Sequence, residues 1–250
     1  LLLCISFTLL WLYQRHTRNA SWADAGWALS VGLVMVWWLQ GGEGDTTRRW
    51  LAGAVASLWS VRLGLHLLHR ARNSTEDGRF QDLRRTWGHR AQRNFLRYFL
   101  LQVPLVLLFA LPTAAIAQDA RAPGLRDLLG VVVALVGVAG VSIADRQLQT
   151  HRRTATTVCH QGLWQYSRHP HYFFEWIFWC AWPLMAPLSP RGLLAWVTPV
   201  AAYVLLNHVT GIPPAERRSL ARGGDEYRRY QEMTSAFFPR SPKTHPQRTP

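Results

Sequence analysis

The amino-acid sequence predicts an all-α protein that crosses a membrane about seven times. Three observations support this prediction. Only 17% of the 250 residues are charged, against ~25% in an average soluble domain, and 13 residues are tryptophan. The apolar residues gather in runs close to the ~20 residues that cross a bilayer as a helix. Arginines concentrate between alternate runs, as they do in the loops of polytopic membrane proteins.

Seven apolar runs define the predicted spans in chain order. They cover residues 1–13, 25–40, 50–68, 95–117, 125–144, 172–188 and 193–210. The third, fourth and fifth runs have the length of a full span. The first run is short and the sixth contains Glu175, Pro183 and Pro187, so either could be re-entrant or tilted. We predict one domain over residues 1–238, followed by a flexible, proline-rich tail over 239–250.

The distribution of basic residues predicts the orientation in the membrane. Of the 28 Lys and Arg residues, 21 lie in one set of alternating loops and five in the other. Because cytoplasmic loops carry the basic excess, we expect a cytoplasmic C-terminus and an outward-facing N-terminus. Topology alone accounts for the net charge of +14, and no nucleic-acid-binding motif accompanies it. We therefore expect membrane lipid, and no nucleic acid, as a partner.

Metal chemistry is not predicted. The three cysteines lack the paired spacing of a zinc or redox site. Two histidine pairs occur, His66 with His69 and His169 with His171, but the HxxHH clusters of a membrane di-iron enzyme are missing.

Four charged residues lie within or at the ends of predicted spans: Asp24, Arg62, Asp145 and Glu175. Charges at membrane depth are costly and usually functional. Asp24 and Asp145 have an alternative interpretation as interfacial caps or anchors. Glu175 sits among aromatic residues and must face a polar cavity or an arginine, because lipid offers a carboxylate no partner.

The segment before Glu175 has the composition of an anion site. Residues 162–172 read Gly-Leu-Trp-Gln-Tyr-Ser-Arg-His-Pro-His-Tyr, and Pro170 is well placed to open a helix. A helix N-terminus beside Arg168 can hold a phosphate. Upstream, Arg152 adds a guanidinium group and Asp145 a carboxylate suited to a ribose hydroxyl or an amide. This combination is typical of a nucleotide site.

The pattern Gly-Leu-Trp-x-Tyr-Ser-Arg-His-Pro-x-Tyr-x-x-Glu-x-x-x-Trp over residues 162–179 resembles the bacterial integral-membrane relatives of steroid 5α-reductase. The resemblance continues in Ser-Trp-Ala-Asp-Ala-Gly-Trp at 21–27, Leu-Trp-Ser-Val-Arg-Leu at 58–63, Glu-Asp-Gly-Arg-Phe at 76–80 and the segment 211–239. It implies a seven-helix membrane fold in the bacterial inner membrane, a cytoplasm-facing NADPH site and a hydrophobic, lipid-like enone substrate that enters between helices.

The same resemblance implies roles for individual residues. The cofactor-binding residues that it implies are Arg62, Arg79, Asp145, Arg152, Tyr166, Arg168, His171, Tyr172, Glu175 and Glu216. The catalytic residues that it implies are Asp24, Trp59 and Glu175. In the steroid reductases a Gln-Glu pair and a tyrosine polarise the substrate carbonyl. Trp59 stands in the place of that tyrosine, and Asp24 is the carboxylate nearest to the place of that pair. Asp24 could act as the proton donor if burial keeps it protonated. His171 stands where the family usually has asparagine.

The resulting hypothesis is NADPH-dependent reduction of a carbon–carbon double bond conjugated to a carbonyl, in a steroid-like or other lipid substrate. Two alternatives stay open. The segment at Arg168 and the glutamate at Glu216 are also similar to the isoprenylcysteine and phospholipid methyltransferases, which use S-adenosylmethionine. The second alternative is a non-catalytic, lipid-binding membrane protein of the same fold.

Overall fold

The computed structural model describes residues 1–73, 75–155 and 157–243, and throughout this part of the chain the regular structure is helical, without strands. The α-helices are α1 (Leu2–Thr17), α2 (Trp22–Gln40), α3 (Thr46–Asn73), α4 (Gly78–Trp87), α5 (Ala91–Ile116), α6 (Leu125–Thr154), α7 (Pro170–Met185), α8 (Val197–Val204) and α9 (Ile212–Met233). Short 3₁₀ turns cover Gly88–Arg90, Gly162–Gln165 and Gly192–Trp196, and a π-helical turn covers Leu205–Val209. The predicted all-α class is confirmed.

Five helical stretches are long and apolar enough to cross a membrane. They are Trp22–Gln40, Thr46–Asn73, Gly78–Ile116, Leu125–Thr154 and Gly192–Met233. The other two predicted spans correspond to α1 and α7, which have 16 residues each and fall short of the ~20 that a perpendicular span needs. Large apolar side chains such as Leu33, Trp37 and Val200 are exposed, as expected for a surface in contact with lipid. The chain is therefore an integral membrane protein by length and composition of its helices.

The seventh predicted span, at residues 193–210, is less regular than the sequence indicates. A 3₁₀ turn, the eight-residue α8 and the π-helical turn follow one another there. The helix that follows, α9, carries nine charged residues among 22 and is kinked at Gly224, whose φ is 49°. Its charges make α9 unsuited to the hydrocarbon region, so the apolar stretch ends near Val209.

The residues form two compact units. The first contains Leu1–Leu128 with Met185–Val197, and the second contains Leu129–Leu184 with Thr198–Pro250. In the first unit α2 packs closely on α3. Ser60 Oγ donates a hydrogen bond to the Ala28 carbonyl at 2.9 Å, and a Cβ on Gly32 would lie 2.2 Å from the Ser60 side chain. The absence of a side chain at Gly32 permits this approach.

The first unit contains a buried ion-pair cluster around Arg48. Arg48 is 2% exposed and donates to Asp119, to Asp127 at 2.9 Å and to the Ala122 carbonyl at 3.1 Å. Arg121 pairs with Asp119 at 2.6 Å, and hydrogen bonds from Arg121 lower the pKa of Asp119. The charge pattern predicted only that Arg48 and Arg121 lie in loops. The structure shows that Arg48 instead connects the start of α3 to the loop before α6 and the first turn of that helix.

In the second unit, glycines let α6 and α7 pack at backbone distance. A Cβ on Gly137 would lie 2.7 Å from the Phe178 nitrogen, and one on Gly140 would lie 2.2 Å from the Phe174 ring. The helix opening predicted at Pro170 is confirmed. Five residues of the predicted tail, 239–243, are described, and the Arg240 nitrogen donates to the Tyr166 carbonyl at 2.9 Å. Residues 244–250 lie outside the described part of the chain.

Candidate functional site

The first group of candidate residues joins two motifs that lie more than 50 positions apart in the sequence. Asp77 caps α4, and its side chain accepts a hydrogen bond from the Arg79 nitrogen at 2.9 Å. The Asp77 nitrogen donates to Ser21 Oγ, also at 2.9 Å. The segment 21–27 at the start of α2 and the segment 76–80 at the start of α4 therefore form one polar cluster.

Asp24 and Arg79 form an ion pair in this cluster. Arg79 Nη2 lies 2.9 Å from Asp24 Oδ1 and 2.7 Å from Oδ2, and both side chains are about four-fifths buried, with 23% and 21% exposed. The Arg79 guanidinium carbon lies 4.5 Å from the centroid of the Phe80 ring. In this arrangement Asp24 acts as a hydrogen-bond acceptor, so its role as a proton donor stays a prediction.

A second carboxylate in the cluster was not assigned from the sequence. Glu76 receives two bonds from Arg84, at 3.0 Å from Nε and 2.6 Å from Nη2, and a third from the Ala20 nitrogen at 2.8 Å. Such a bidentate pair is rigid, and the Glu76 side chain is only 8% exposed. Glu76 therefore fixes α4 against the turn before α2. Glu76 belongs to the Glu-Asp-Gly-Arg-Phe motif, but its partner Arg84 lies outside the motif, so the motif alone did not indicate this ion pair.

Aromatic rings pack beside this cluster. Trp59 is 1% exposed and lies edge-to-face with Trp27 at 6.0 Å, and Trp27 meets Phe109 at 5.3 Å. Trp59 is thus buried among aromatic rings, and its catalytic role stays a prediction. Arg62 lies one turn further along α3. Tyr98 was also missed: its ring lies 5.5 Å from Phe80, and the charges of Arg79, Asp24 and Asp77 all act on its phenol.

The second group of candidates is organised by Arg168. Its Nε lies 2.7 Å from Glu216 Oε1, and its Nη1 donates to the carbonyls of Gln231, at 3.0 Å, and Thr234. The Arg168 nitrogen donates to the Ser235 carbonyl at 2.8 Å. The sequence predicted a phosphate contact for Arg168, whereas these bonds attach the segment before α7 to α9 and the residues after it.

Glu216 is the acceptor at the centre of this group. Besides Arg168, it is approached by His169 Nε2 at 3.3 Å and Gln231 Nε2 at 2.9 Å. Burial alone would raise the pKa of Glu216, but the hydrogen bonds from His169 and Arg168 outweigh it and lower the pKa to about 2. Burial lowers the pKa of His169 despite its carboxylate partner. Arg168 is therefore the permanent positive charge beside Glu216 at neutral pH.

The remaining aromatic candidates stack at the start of α7. The His171 ring lies 4.0 Å from that of Tyr172 and 5.3 Å from that of Trp164. Tyr166 is 41% exposed, and its carbonyl accepts the bond from Arg240. One turn further into α7, Glu175 accepts a hydrogen bond from Trp179 Nε1 at 3.2 Å. The Trp179 indole, on the same helix, is therefore one polar partner of Glu175.

Exposed arginines lie on two helices of the second unit. They are Arg146, Arg152 and Arg153 at the end of α6 and Arg217, Arg222, Arg228 and Arg229 on α9. The segment between α6 and α7 packs on α9, since the Val158 nitrogen donates to Glu226 at 3.0 Å. Arg152 acts electrostatically on Cys159, although burial raises the pKa of that thiol. Asp145 lies about two turns before Arg152 on α6.

This donor set suits phosphate groups more than metal ions. Guanidinium groups bind phosphate oxygens through charge-assisted hydrogen bonds, and here they come from two neighbouring elements of one unit. Within residues 1–73, 75–155 and 157–243, no group of three or more His, Cys, Asp or Glu side chains is arranged to hold a metal ion.

Comparison with known proteins identifies the family. Residues 10–234 match DUF1295, a family described as proteins of unknown function. The chain belongs to DUF1295. The match includes both groups of candidate residues, those around Asp24 and those around Arg168.

One relative of this DUF1295 chain is the uncharacterized protein C594.04c of Schizosaccharomyces pombe. The two are 25% identical over 277 aligned residues, which cover 97% of this chain and 80% of the yeast protein. No solved structure matches the chain.

Proposed function

We propose that this DUF1295 protein is a membrane reductase that uses NADPH to reduce a carbon–carbon double bond conjugated to a carbonyl in a steroid-like or other lipid substrate. The observation that supports the proposal most directly is the arginine-rich end of the second unit, organised around the Arg168–Glu216 pair. A phosphorylated dinucleotide needs several cations and a ribose acceptor, and this end of the unit offers both.

In this proposal the second unit holds the cofactor. Arg152 and the exposed arginines of α9 bind phosphates, Asp145 accepts a ribose hydroxyl or amide, and Tyr166, His171 and Tyr172 supply aromatic surface. Arg168 acts as a positioning residue, because its bonds to Glu216 and Gln231 set the shape of this region. When bound, NADPH would supply the hydride for the reduction, and water would supply the proton that converts the enolate to the product. S-adenosylmethionine, a cation without phosphate, has less reason to bind among arginines.

In this proposal Arg79 and Asp24 act on the substrate carbonyl. Arg79 carries a permanent positive charge, and Asp24 fixes the orientation of its guanidinium. A fixed cation beside the carbonyl oxygen stabilises the negative charge that develops on an enolate. Asp24 as a donor would have to gain a proton while bonded to Arg79. We therefore assign charge stabilisation to Arg79 and orientation to Asp24.

We further propose seven spans, with α1 and α7 tilted or partly embedded in addition to the five long stretches. The arginine-rich loops then face the cytoplasm of a bacterial cell, and the N-terminus faces outward. NADPH is available on the cytoplasmic side, so this orientation agrees with the proposed cofactor.

The test is a binding comparison followed by an activity assay on the purified full chain in lipid nanodiscs. We expect NADPH to bind and S-adenosylmethionine to bind at least ~10-fold more weakly, and a panel of hydrophobic enones to include one that drives NADPH oxidation. Tight binding of S-adenosylmethionine without NADPH binding would transfer the proposal to the methyltransferases. Bound NADPH without oxidation by any enone would favour a non-catalytic lipid-binding protein.

A further inference from the structure

A groove of about 670 Å³ lies between α1, α2 and α3 in the first unit. Its main lining residues are Leu10, Tyr13, Trp22, Leu29, Leu68 and Arg72. Gly26 on α2 also lines it, and a Cβ there would lie 2.4 Å from Leu10 Cδ1. The volume falls within the ~300–1,000 Å³ of small-molecule sites.

The groove lies on the opposite face of α2 from Asp24. The α2 positions that line it, Trp22, Ala25, Gly26 and Leu29, follow the spacing of a single helical face. Asp24 is two residues from both Trp22 and Gly26, which places it about half a turn away. The groove is therefore distinct from the Asp24–Arg79 pair, and a ligand bound in it would be independent of the proposed reductase reaction.

The floor of the groove continues into the exposed apolar surface. Leu9 is 59% exposed beside Leu10, and Leu65 is 58% exposed one turn before Leu68. Tyr13, which lines the groove, is itself 46% exposed. On an integral membrane protein such side chains contact acyl chains, so an acyl chain can pass from the bilayer into the groove without crossing a polar surface.

The mouth of the groove is positive. Arg72, at the end of α3, is the charged residue among those that line it, and it is exposed. The neighbouring carboxylates are already bound to other arginines: Glu76 to Arg84 at 2.6 Å and Asp77 to Arg70 at 3.2 Å. The surroundings therefore complement an anionic group joined to an apolar chain.

We propose that this groove binds an anionic phospholipid of the surrounding membrane, with an acyl chain along Leu10, Leu29 and Leu68 and the phosphate at Arg72. Anionic headgroups are attracted by basic residues at the membrane surface, and the apolar floor distinguishes a bound lipid from a free anion. A zwitterionic lipid offers the same acyl chain without the net negative charge, so it should bind more weakly.

Photo-crosslinking tests this. The full chain is placed in phosphatidylcholine nanodiscs with a trace of phosphatidylglycerol that carries a diazirine in its acyl chain. We expect labelled peptides to contain Leu10, Leu29 or Leu68, and unlabelled phosphatidylglycerol to compete better than phosphatidylcholine. Arg72→Gln should reduce the labelling about fivefold. Arg85→Gln is the matched control, because it removes one 79%-exposed charge from the same unit outside the groove.

A second variant keeps the test independent of Arg72. Thr17 lines the groove and is exposed at the end of α1, so Thr17→Trp should fold and obstruct the groove, and labelling of the same peptides should fall. The proposal is overturned if labelling spreads over the exposed apolar surface, if Arg72→Gln and Arg85→Gln behave alike, or if inorganic phosphate displaces the probe. Labelling that includes no groove peptide would equally overturn it.

Discussion

Arg168 and Glu216 are 48 positions apart, and their side chains meet at 2.7 Å between Nε and Oε1. The same guanidinium binds the Gln231 and Thr234 carbonyls, so one arginine connects the start of α7 with both ends of α9. A residue with this many protein partners is expected to stabilise the fold as well as serve any ligand nearby.

Replacing Arg168 should therefore destabilise the protein. In Arg168→Met, Glu216 loses its permanent counter-charge and two carbonyls lose a donor, at a cost of ~3–5 kcal/mol for a broken buried pair. Thermal unfolding in detergent measures the loss. The exposed Arg153 on α6 gives the control, since Arg153→Met should unfold close to the wild-type temperature. Equal unfolding temperatures for the two variants would contradict the anchoring role.

Replacing Arg152 should weaken cofactor binding without destabilising the protein. Because it is exposed at the end of α6, Arg152→Ala should leave the unfolding temperature nearly unchanged. If Arg152 binds a phosphate, NADPH affinity should fall by ~1.5–3 kcal/mol, the cost of one charge-assisted contact. Calorimetric titration with NADPH measures this loss. An unchanged affinity would remove Arg152 from the cofactor site.

Stability should decrease as the pH falls through ~6.5, in part because of His169. Burial lowers its pKa in the folded protein below the ~6.5 of an unfolded chain, so between these values the unfolded state binds more protons. The contribution of His169 is thus fully present above the unfolded pKa and is lost as the pH falls towards the folded pKa. His169→Gln should flatten the dependence of unfolding temperature on pH in this window, and an unchanged slope would refute this role.

Glu216 gives a second acidic transition with the same sign. Its folded pKa of about 2 lies below the ordinary value of 4.5, so its stabilising effect is present above 4.5 and is lost between 4.5 and about 2. Glu216→Gln should lose this dependence, and the His169 window should move to lower pH, because the carboxylate no longer raises the pKa of His169. Unfolding curves at pH 5, 4 and 3 measure the difference.

The Asp24–Arg79 pair should affect turnover more than cofactor affinity. If Arg79 stabilises the enolate, Arg79→Lys, which keeps the charge but not the geometry, should reduce kcat on the order of 10²-fold. Asp24→Asn should reduce it as well, because the guanidinium loses its orienting partner. NADPH affinity should stay within about twofold in both variants. A loss confined to NADPH binding would place the pair on the cofactor side.

The Arg48 cluster should be purely structural. Arg48→Met removes the buried guanidinium that pairs with both Asp119 and Asp127, and should cost ~3–5 kcal/mol. Combining it with Asp127→Asn should recover part of the loss, because one unpaired charge is removed. Arg85→Gln, exposed on α4, serves as the neutral control in thermal unfolding. No recovery in the double variant would argue against charge burial as the cause.

The helical class, the apolar stretches and the start of α7 could be predicted from the amino-acid sequence. These features depend on neighbours within a few residues: apolar runs, a proline at the first helical position and the spacing of one helical face. The family resemblance also indicated that the segments 21–27 and 76–80 are functional. Even the Trp179–Glu175 bond is local, since residues four apart share a helix face.

Which charged side chains are buried, and which residues they pair with, depends on the tertiary structure. Arg48 and Arg168 are loop arginines in the sequence, yet their partners lie 71 and 48 positions away. Nothing in local composition distinguishes them from the exposed Arg152, because every arginine carries the same charge and the same donors. The physical reason is desolvation: only packing determines which guanidinium loses water and must be satisfied by carboxylates and carbonyls of the protein itself.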